Sequence, residues 1–335
     1  MRKLIIFAAL CLLAVPANAQ FQSRGPRTAV LVDNDLCGDF DGLYHLAHQL
    51  LCTSSDVRGI VGANLGSQRA WAQSDGQRNN AEISVQKALE VVELCGKTGK
   101  VTVKPGAPLP MTDDSTPAVS EGAQLIVDEA KKATPEKPLY LLFGGPLTDV
   151  ASAWLMDPGI SKNVILVWIG GQEYDFGNPL PAQYQTGSNE VEYNLRLDIN
   201  AAKVVFNKSD LTIWQIPRDV YRQCLYGVSE IEDKIAPLGE LGKYLYESMG
   251  FLGKMSDAYV LGDSPLCLVS TLTTTFEAGP ASSFYVTVPA PRITDDGHYD
   301  FSVKGREINV FKTVDTRLMF GDMESRFRLL AKNAD

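Results

Sequence analysis

A single large α/β domain with a mostly parallel, helix-covered sheet is the fold this sequence predicts, and three observations predict it. Near-continuous apolar runs alternate with stretches whose apolar residues recur at helical spacing. Those runs lack the in–out alternation of a sheet wetted on one face, so they read as strands buried on both sides. No Pro/Ser-rich linker and no internal repeat divides the chain, so one domain accounts for residues 20–335.

The elements follow in order. The run TAVLVD (28–33) is a fully buried strand, and DGLYHLAHQLL after it carries Leu43, Leu46, Ala47, Leu50 and Leu51 on one helical face. VRGIVGAN (57–64) is a second strand, and 83–99 is a helix closed by a Lys/Gly stop signal. Ser120 opens a helix over 120–133. KPLYLLFGG (137–145) and NVILVWIGG (163–171) are apolar strands that both end in Gly-Gly. DINAAKVVFNKS (198–209) is a helix and LTIWQIP (211–217) a strand. A helix-rich stretch over 229–276 precedes two strand-like runs, SSFYVTVP and REINVFKTVD, and a closing helix over 316–332.

Residues 1–19 stand apart. Arg2 and Lys3, an apolar stretch and the ending Ala17-Asn18-Ala19 read as a cleavable secretory signal peptide. The apolar run is too short to span a bilayer, which needs about 20 residues, and no later run is long enough either. A periplasmic or secreted product is therefore expected. Its net charge moves from −9 to −11 once Arg2 and Lys3 are removed, which argues against nucleic acid or an anionic membrane as partner. Five cysteines remain (Cys37, Cys52, Cys95, Cys224, Cys267), scattered and with no C-x-x-C. A zinc site is not expected, and disulfide connectivity is not readable from this spacing.

Ligands of open α/β sheets bind outside the carboxyl ends of the strands, so the residues that follow the strands are the ones to collect. After the first strand come Asp33, Asp35, Asp39 and Asp41; after later ones come Asn64, Gly144-Gly145 and Gly170-Gly171. Carboxylates crowded in this way repel one another and hold protons unless something neutralises them. A helix N-terminus favours one or two acidic residues, which leaves Asp33 and Asp35 without a role. An EF-hand fails because Cys37 and Tyr44 occupy positions where ligands are required and a strand precedes the loop. A nucleophilic aspartate of the haloacid-dehalogenase type, which also uses D-x-D, leaves Asp39 and Asp41 unexplained. A hard divalent cation, calcium above all, accounts for the whole group. With His45, His48 and His298 the only histidines, softer metals have few ligands to use.

These motifs resemble the nucleoside hydrolases, the inosine/uridine-preferring N-ribohydrolase family. The family opens on an aspartate-rich strand-to-helix turn, D-x-D-P-G-x-D-D, to which DNDLCGDFDGL is similar. VRGIVGAN resembles its second strand ending in asparagine, and LLFGGPLTDVASAWLMDP (141–158) its T-G-P-L-T-N segment. IGGQEYDFGN, VEYNLRLDINAAKVVF and LGDSPLCLVS are similar to three later motifs. The resemblance implies an open, Rossmann-like sheet and calcium-dependent hydrolysis of the N-glycosidic bond of small-molecule ribonucleosides. It also implies a homodimer or homotetramer.

Carried onto this sequence, the resemblance makes Asp35 both a metal ligand and the base that activates water. Asp41, Asp263, the Gly144 carbonyl and Asp39 complete the metal set, with Asp39 also on the sugar 2-hydroxyl. Asn64, Glu192, Asn194 and Asn178 are expected on the ribose, and Tyr221, Arg222 and Tyr226 near the base, where Trp71, Tyr174 and Phe176 are stacking candidates. Two departures stand out. Phe40 splits the adjacent aspartate pair, so the roles of Asp39 and Asp41 can be exchanged by shifting the alignment one way or the other. Gly262 stands where many members carry the histidine that protonates the leaving base. The alternatives are a secreted nucleoside- or ribose-binding protein without turnover, and an N-glycosidase acting on another ribosylated substrate.

Overall fold

β1 (Thr28–Asn34) runs through the middle of the sheet, and its residues from Val30 onward are buried, as the TAVLVD run requires. The computed structural model describes residues 25–66, 79–174, 190–250, 255–272 and 283–334. Residues 1–19, expected to be a signal peptide, and Trp71, Phe176 and Asn178 lie outside the described residues.

Around β1 the chain builds β2 (Ser55–Gly62), β3 (Val103–Pro105), β4 (Leu139–Phe143), β5 (Val164–Ile169) and β6 (Thr212–Ile216). Further on come β7 (Leu225–Gly227), β8 (Ala258–Val260), β9 (Phe284–Pro289), β10 (Arg292–Ile293), β11 (Tyr299–Asp300) and β12 (Glu307–Thr313). The main sheet has eight strands in the order β3-β2-β1-β4-β5-β6-β12-β9. Pairing is parallel from β3 to β12, and only the edge strand β9 runs antiparallel, on β12. The chain winds outward from β1 to β3 and then returns to β4 on the other side of β1. That reversal makes the carboxyl ends of β1 and β4 the switch point at which such sheets open a crevice. β7 and β8 form a separate two-stranded ribbon.

Helices cover both faces. On one side α1 (Asp41–Leu51) and the C-terminal helix Thr316–Ala334 share a core with Val32, Leu142 and Ile169. On the other, α3 (Glu121–Ala130) and α4 (Thr148–Met156) pack on Leu31, Leu141 and Leu166. α2 (Asn80–Leu94) starts earlier than its apolar periodicity suggests, because Asn79 and Glu82 form a reciprocal capping box. Ser120 caps α3 by accepting from the Ala123 N–H. The helix expected over 198–209 begins at Ile199 and widens into a π-helical turn over Val204–Lys208. The expectation missed β3, a three-residue edge strand, and α4, whose start falls inside the Gly-Gly-Pro-Leu-Thr segment.

Candidate active site

Four carboxylates meet at the carboxyl end of β1. Asp33 and Asn34 are the last residues of the strand, and Asp35 opens the turn, its carbonyl accepting from the Gly38 N–H at 2.7 Å. Asp41 begins α1, where its charge faces the helix N-terminus. Asp263 arrives from the far end of the sequence, two residues before the helix Pro265–Thr271.

Asn34 joins the two halves. Its Nδ2 donates to Asp263 Oδ2 at 2.8 Å, and the Asp263 N–H donates to Asp41 Oδ2 at 3.1 Å. The amide lies between two glycines. A Cβ at Gly42 would stand 2.6 Å from Asn34 Oδ1, and one at Gly144 would stand 2.3 Å from Nδ2. Glycine at 144, where the resemblance expects threonine, is what the Asn34 side chain leaves room for.

A cavity of about 430 Å3 opens over these groups, lined by Asp35, Asp39, Asp41, Gly144 and Asp263. Its opposite wall carries Glu192 and Asn194. Glu192 Oε2 accepts from the N–H groups of Gly171 and Leu195 at 2.8 and 3.1 Å, and Oε1 accepts from the Tyr221 hydroxyl at 2.9 Å. Gly171 reaches this position with φ near +86°, a conformation that favours glycine. Asn194 Nδ2 donates to the Ile169 carbonyl at 2.8 Å, which leaves its side-chain oxygen as an acceptor. The rim is aromatic and basic. Tyr259 donates to Asp39 Oδ2 at 3.0 Å with its ring 4.2 Å from that of Phe40, and exposed Arg222 stands beside Tyr221.

Electrostatics set this corner apart. Burial, reinforced by Asp263, Asp39 and Asp35, lifts the Asp41 carboxyl well above its ordinary range. Asp263 is raised chiefly by burial, against the opposing Asn34 hydrogen bond. Burial and Asp149 raise Asp33. Both Asp33 oxygens and Asn34 Oδ1 are buried with no hydrogen-bond partner. The mutually repelling carboxylates that line the cavity, with Gly144 beside them, make a donor set of hard oxygens that suits a divalent cation; Asp33 and Asn34 do not line the cavity. Among the described residues, however, no three His, Cys, Asp or Glu side chains are gathered closely enough to hold a metal as they stand. The bonds of Asn34 to Asp263 and of Asp263 to Asp41 occupy oxygens that such an ion would use.

Two expected residues stand elsewhere. Asn64 is fully buried, donating to the Ala107 carbonyl and accepting from the Gly66 N–H, so both ends of its amide hold backbone rather than facing the cavity. Tyr226 donates to Glu324 and packs its ring 4.8 Å from Phe320, in the core rather than at the base. Tyr174 is buried and hydrogen-bonded to Gln215. Sequence reasoning missed Asn34, which lay in view between two aspartates, and Tyr259, which only the β7–β8 pairing brings to the rim. It also missed the buried fork of Arg218 on Glu173, whose two N–H···O bonds measure 2.5 and 2.6 Å. That fork ties the segment after β6 to the segment after β5.

Residues 70–319 match the family described as inosine-uridine preferring nucleoside hydrolase, a span that starts after the aspartate turn. A search of curated proteins returned no match. Among solved structures, a plant nucleoside hydrolase superposes with a TM-score of 0.66 at 18% identity, over 90% of this chain and 99% of that one. A purine-preferring ribonucleoside hydrolase from Gardnerella vaginalis gives 0.63 at 19%, over 91% and 99%. An inosine-uridine preferring nucleoside hydrolase from Bacillus anthracis gives 0.62 at 17%, over 90% and 99%. At these identities the likeness establishes the fold.

Proposed function

Because this chain belongs to the inosine-uridine preferring nucleoside hydrolase family, we propose that it hydrolyses the N-glycosidic bond of ribonucleosides at the Asp35–Asp41–Asp263 cavity, with calcium as its cofactor. The observation that carries this reading is the convergence of four carboxylates from opposite ends of the chain on one cavity at the sheet's switch point.

Asp35, Asp41 and Asp263, with the Gly144 carbonyl, would hold the ion, and Asp39 stands at the edge of that set. When bound, calcium supplies Lewis acidity toward water and an anchor for a diol. Asp35 accepts the proton of the attacking water, a role worth typically about 10²–10⁴ in rate. The reaction passes through a sugar with oxocarbenium character, which the surrounding negative charge favours. Glu192 and the Asn194 oxygen take sugar hydroxyls, and Tyr221 holds Glu192 in place through its hydroxyl. With glycine at 262, the groups near the departing base are Arg222 and Tyr259. We further propose export through residues 1–19 and a homo-oligomeric state, homodimer or homotetramer.

Free ribose released from a panel of purine and pyrimidine ribonucleosides, with and without added calcium, tests the reading. Release that requires calcium supports it. The Asn34–Asp263 hydrogen bond favours a second reading, a nucleoside-binding protein without turnover, because the amide occupies a carboxylate oxygen needed for the metal. Nucleoside binding with no ribose release under any metal condition would select that alternative.

A further inference from the structure

Asp39 and Asp41 face the same cavity, and Phe40 between them turns the other way. Its side chain packs in the core, with its ring 4.2 Å from that of Tyr259 and 6.1 Å from that of Tyr44. The two aspartates that line the cavity are held differently. Asp41 Oδ1 accepts from the Gly42 N–H at 2.9 Å and Oδ2 from the Asp263 N–H at 3.1 Å, which ties this carboxylate to the far end of the chain. Asp39 precedes α1 and is exposed, and its Oδ2 accepts from the Tyr259 hydroxyl at 3.0 Å. Within the nucleoside reading of this cavity, on which this inference rests, we propose that Tyr259 is the positioning residue for Asp39: its hydroxyl aims that carboxylate at the sugar 2-hydroxyl and so sets a preference for ribonucleosides over 2-deoxyribonucleosides.

The tyrosine is well seated for this. β8 places Tyr259 opposite Tyr226 of β7, and the Leu261 N–H donates to the Cys224 carbonyl at 2.9 Å, so the ribbon stays tied to within two residues of Asp263. One short segment thus brings Asp263 to Asp41 and Tyr259 to Asp39. On its ring side Tyr259 is half-buried against Phe40, the two planes tilted by 35°, a contact that stabilises beyond the area it covers. A tyrosine has only two side-chain torsions to fix, so its hydroxyl reaches Asp39 at small entropic cost. An exposed aspartate on a turn otherwise samples several rotamers, and a donor fixed on one oxygen selects among them. A carboxylate offers about four lone-pair positions, so one phenol leaves room for a sugar hydroxyl.

The place of Asp39 identifies the hydroxyl. Tyr259 stands at the rim, beside the departing base, and Asp39 is bonded to it. The sugar hydroxyl nearest the base is the 2-hydroxyl, on the carbon adjacent to the one that bears the base. Asp39 is the carboxylate placed to meet it, while Glu192 and Asn194 take the rest of the sugar from their own wall. A 2-deoxy sugar presents a C–H there and leaves the covered carboxylate without its donor. Sites built to bond a hydroxyl discriminate strongly against an analogue that lacks it.

The test measures calorimetric binding of inosine, uridine and their 2-deoxy counterparts, in calcium, to Asp35→Asn protein with and without Tyr259→Phe. The kcat/KM values of the same substrates are compared with Asp35 intact. Phenylalanine keeps the ring on Phe40 and removes only the hydroxyl. The ribo-to-deoxy ratio of affinities, and that of kcat/KM, should fall on the order of tenfold, through weaker handling of the ribonucleoside alone. In Asp39→Asn protein the same change should leave the ratio where it was, because the effect runs through that carboxylate. A protein that binds without turnover is tested equally well by the affinities. An undiminished ratio, or an equal loss for both sugars as a merely structural tyrosine would give, overturns the inference and leaves the hydrolase reading standing. Failure of the Asp35→Asn parent to bind either ribonucleoside overturns the nucleoside reading and this inference with it.

Discussion

Replacing Gly144 by alanine adds one methyl group where the structure has no room for it. The new Cβ would lie 2.3 Å from Asn34 Nδ2, 2.6 Å from Asp263 Oδ2 and 2.8 Å from Asp263 Cγ. Relief requires a shift of about 1 Å, since carbon contacts settle near 3.5 Å or more. Overpacking of this kind costs about 1–3 kcal/mol. The shift also breaks the 2.8 Å bond from Asn34 to Asp263, and a hydrogen bond to a charged group contributes about 1.5–3 kcal/mol. For a chain of this size the combined loss lowers the melting temperature by roughly 4–9 °C.

Thermal unfolding by circular dichroism in EGTA measures this, and the cycle with Asn34→Ala identifies its source. With the amide gone, Gly144→Ala should lose at least about 1 kcal/mol of its effect, because contacting groups couple and distant ones add. An unchanged melting temperature in the single variant, or strict additivity in the cycle, would refute the account of Asn34 wedged between two glycines.

Asp35→Asn should lower turnover by about 10²–10⁴ while nucleoside binding persists; ribose release at the original rate would remove Asp35 as the base. Arg218→Ala leaves Glu173 buried without its partner and should lower unfolding free energy in urea by about 3–5 kcal/mol, with Arg218→Met/Glu173→Gln recovering part of it. A shift under 1 kcal/mol would mean the fork is not holding the two segments. His45 is fully buried, and burial followed by the nearby His48 lowers its pKa to about 3. The folded state refuses a proton that the unfolded chain takes up near pH 6.5, so its contribution is complete above that pH. It declines as pH falls toward 3, by about 2 kcal/mol between pH 6.5 and 5. Unfolding titrations of His45→Phe should show a correspondingly flatter acid slope, and a slope identical to the wild type would contradict this assignment.

The parts of this molecule that depend on local pattern were readable in the chain. Val30, Leu31 and Val32 are apolar because β1 is covered on both faces, and the same holds for Leu141 and Leu166. The aspartate cluster was legible because nothing in a strand-to-helix turn explains four acids. What stayed hidden depends on contacts between distant segments. Tyr259 reaches Asp39 across 220 positions, and Asn34 reaches Asp263 across 229. Asn64 sits where the resemblance expects a sugar contact, yet a neighbouring turn and Ala107 take up its amide. Tyr226 lies on a segment that does border the cavity, through Tyr221, Arg222 and Leu225. Pairing of β7 with β8 turns alternate side chains to opposite faces, and its hydroxyl went to Glu324.

The central claim is that the carboxylates of Asp35, Asp41 and Asp263 form the seat of a divalent ion. Calorimetric titration of calcium into EGTA-stripped protein, run in parallel on Asp263→Asn, tests it most directly. The wild type should show one saturable calcium site, and the variant should lose at least tenfold in affinity. Equal binding by both proteins, or no binding by the stripped wild type, would contradict it.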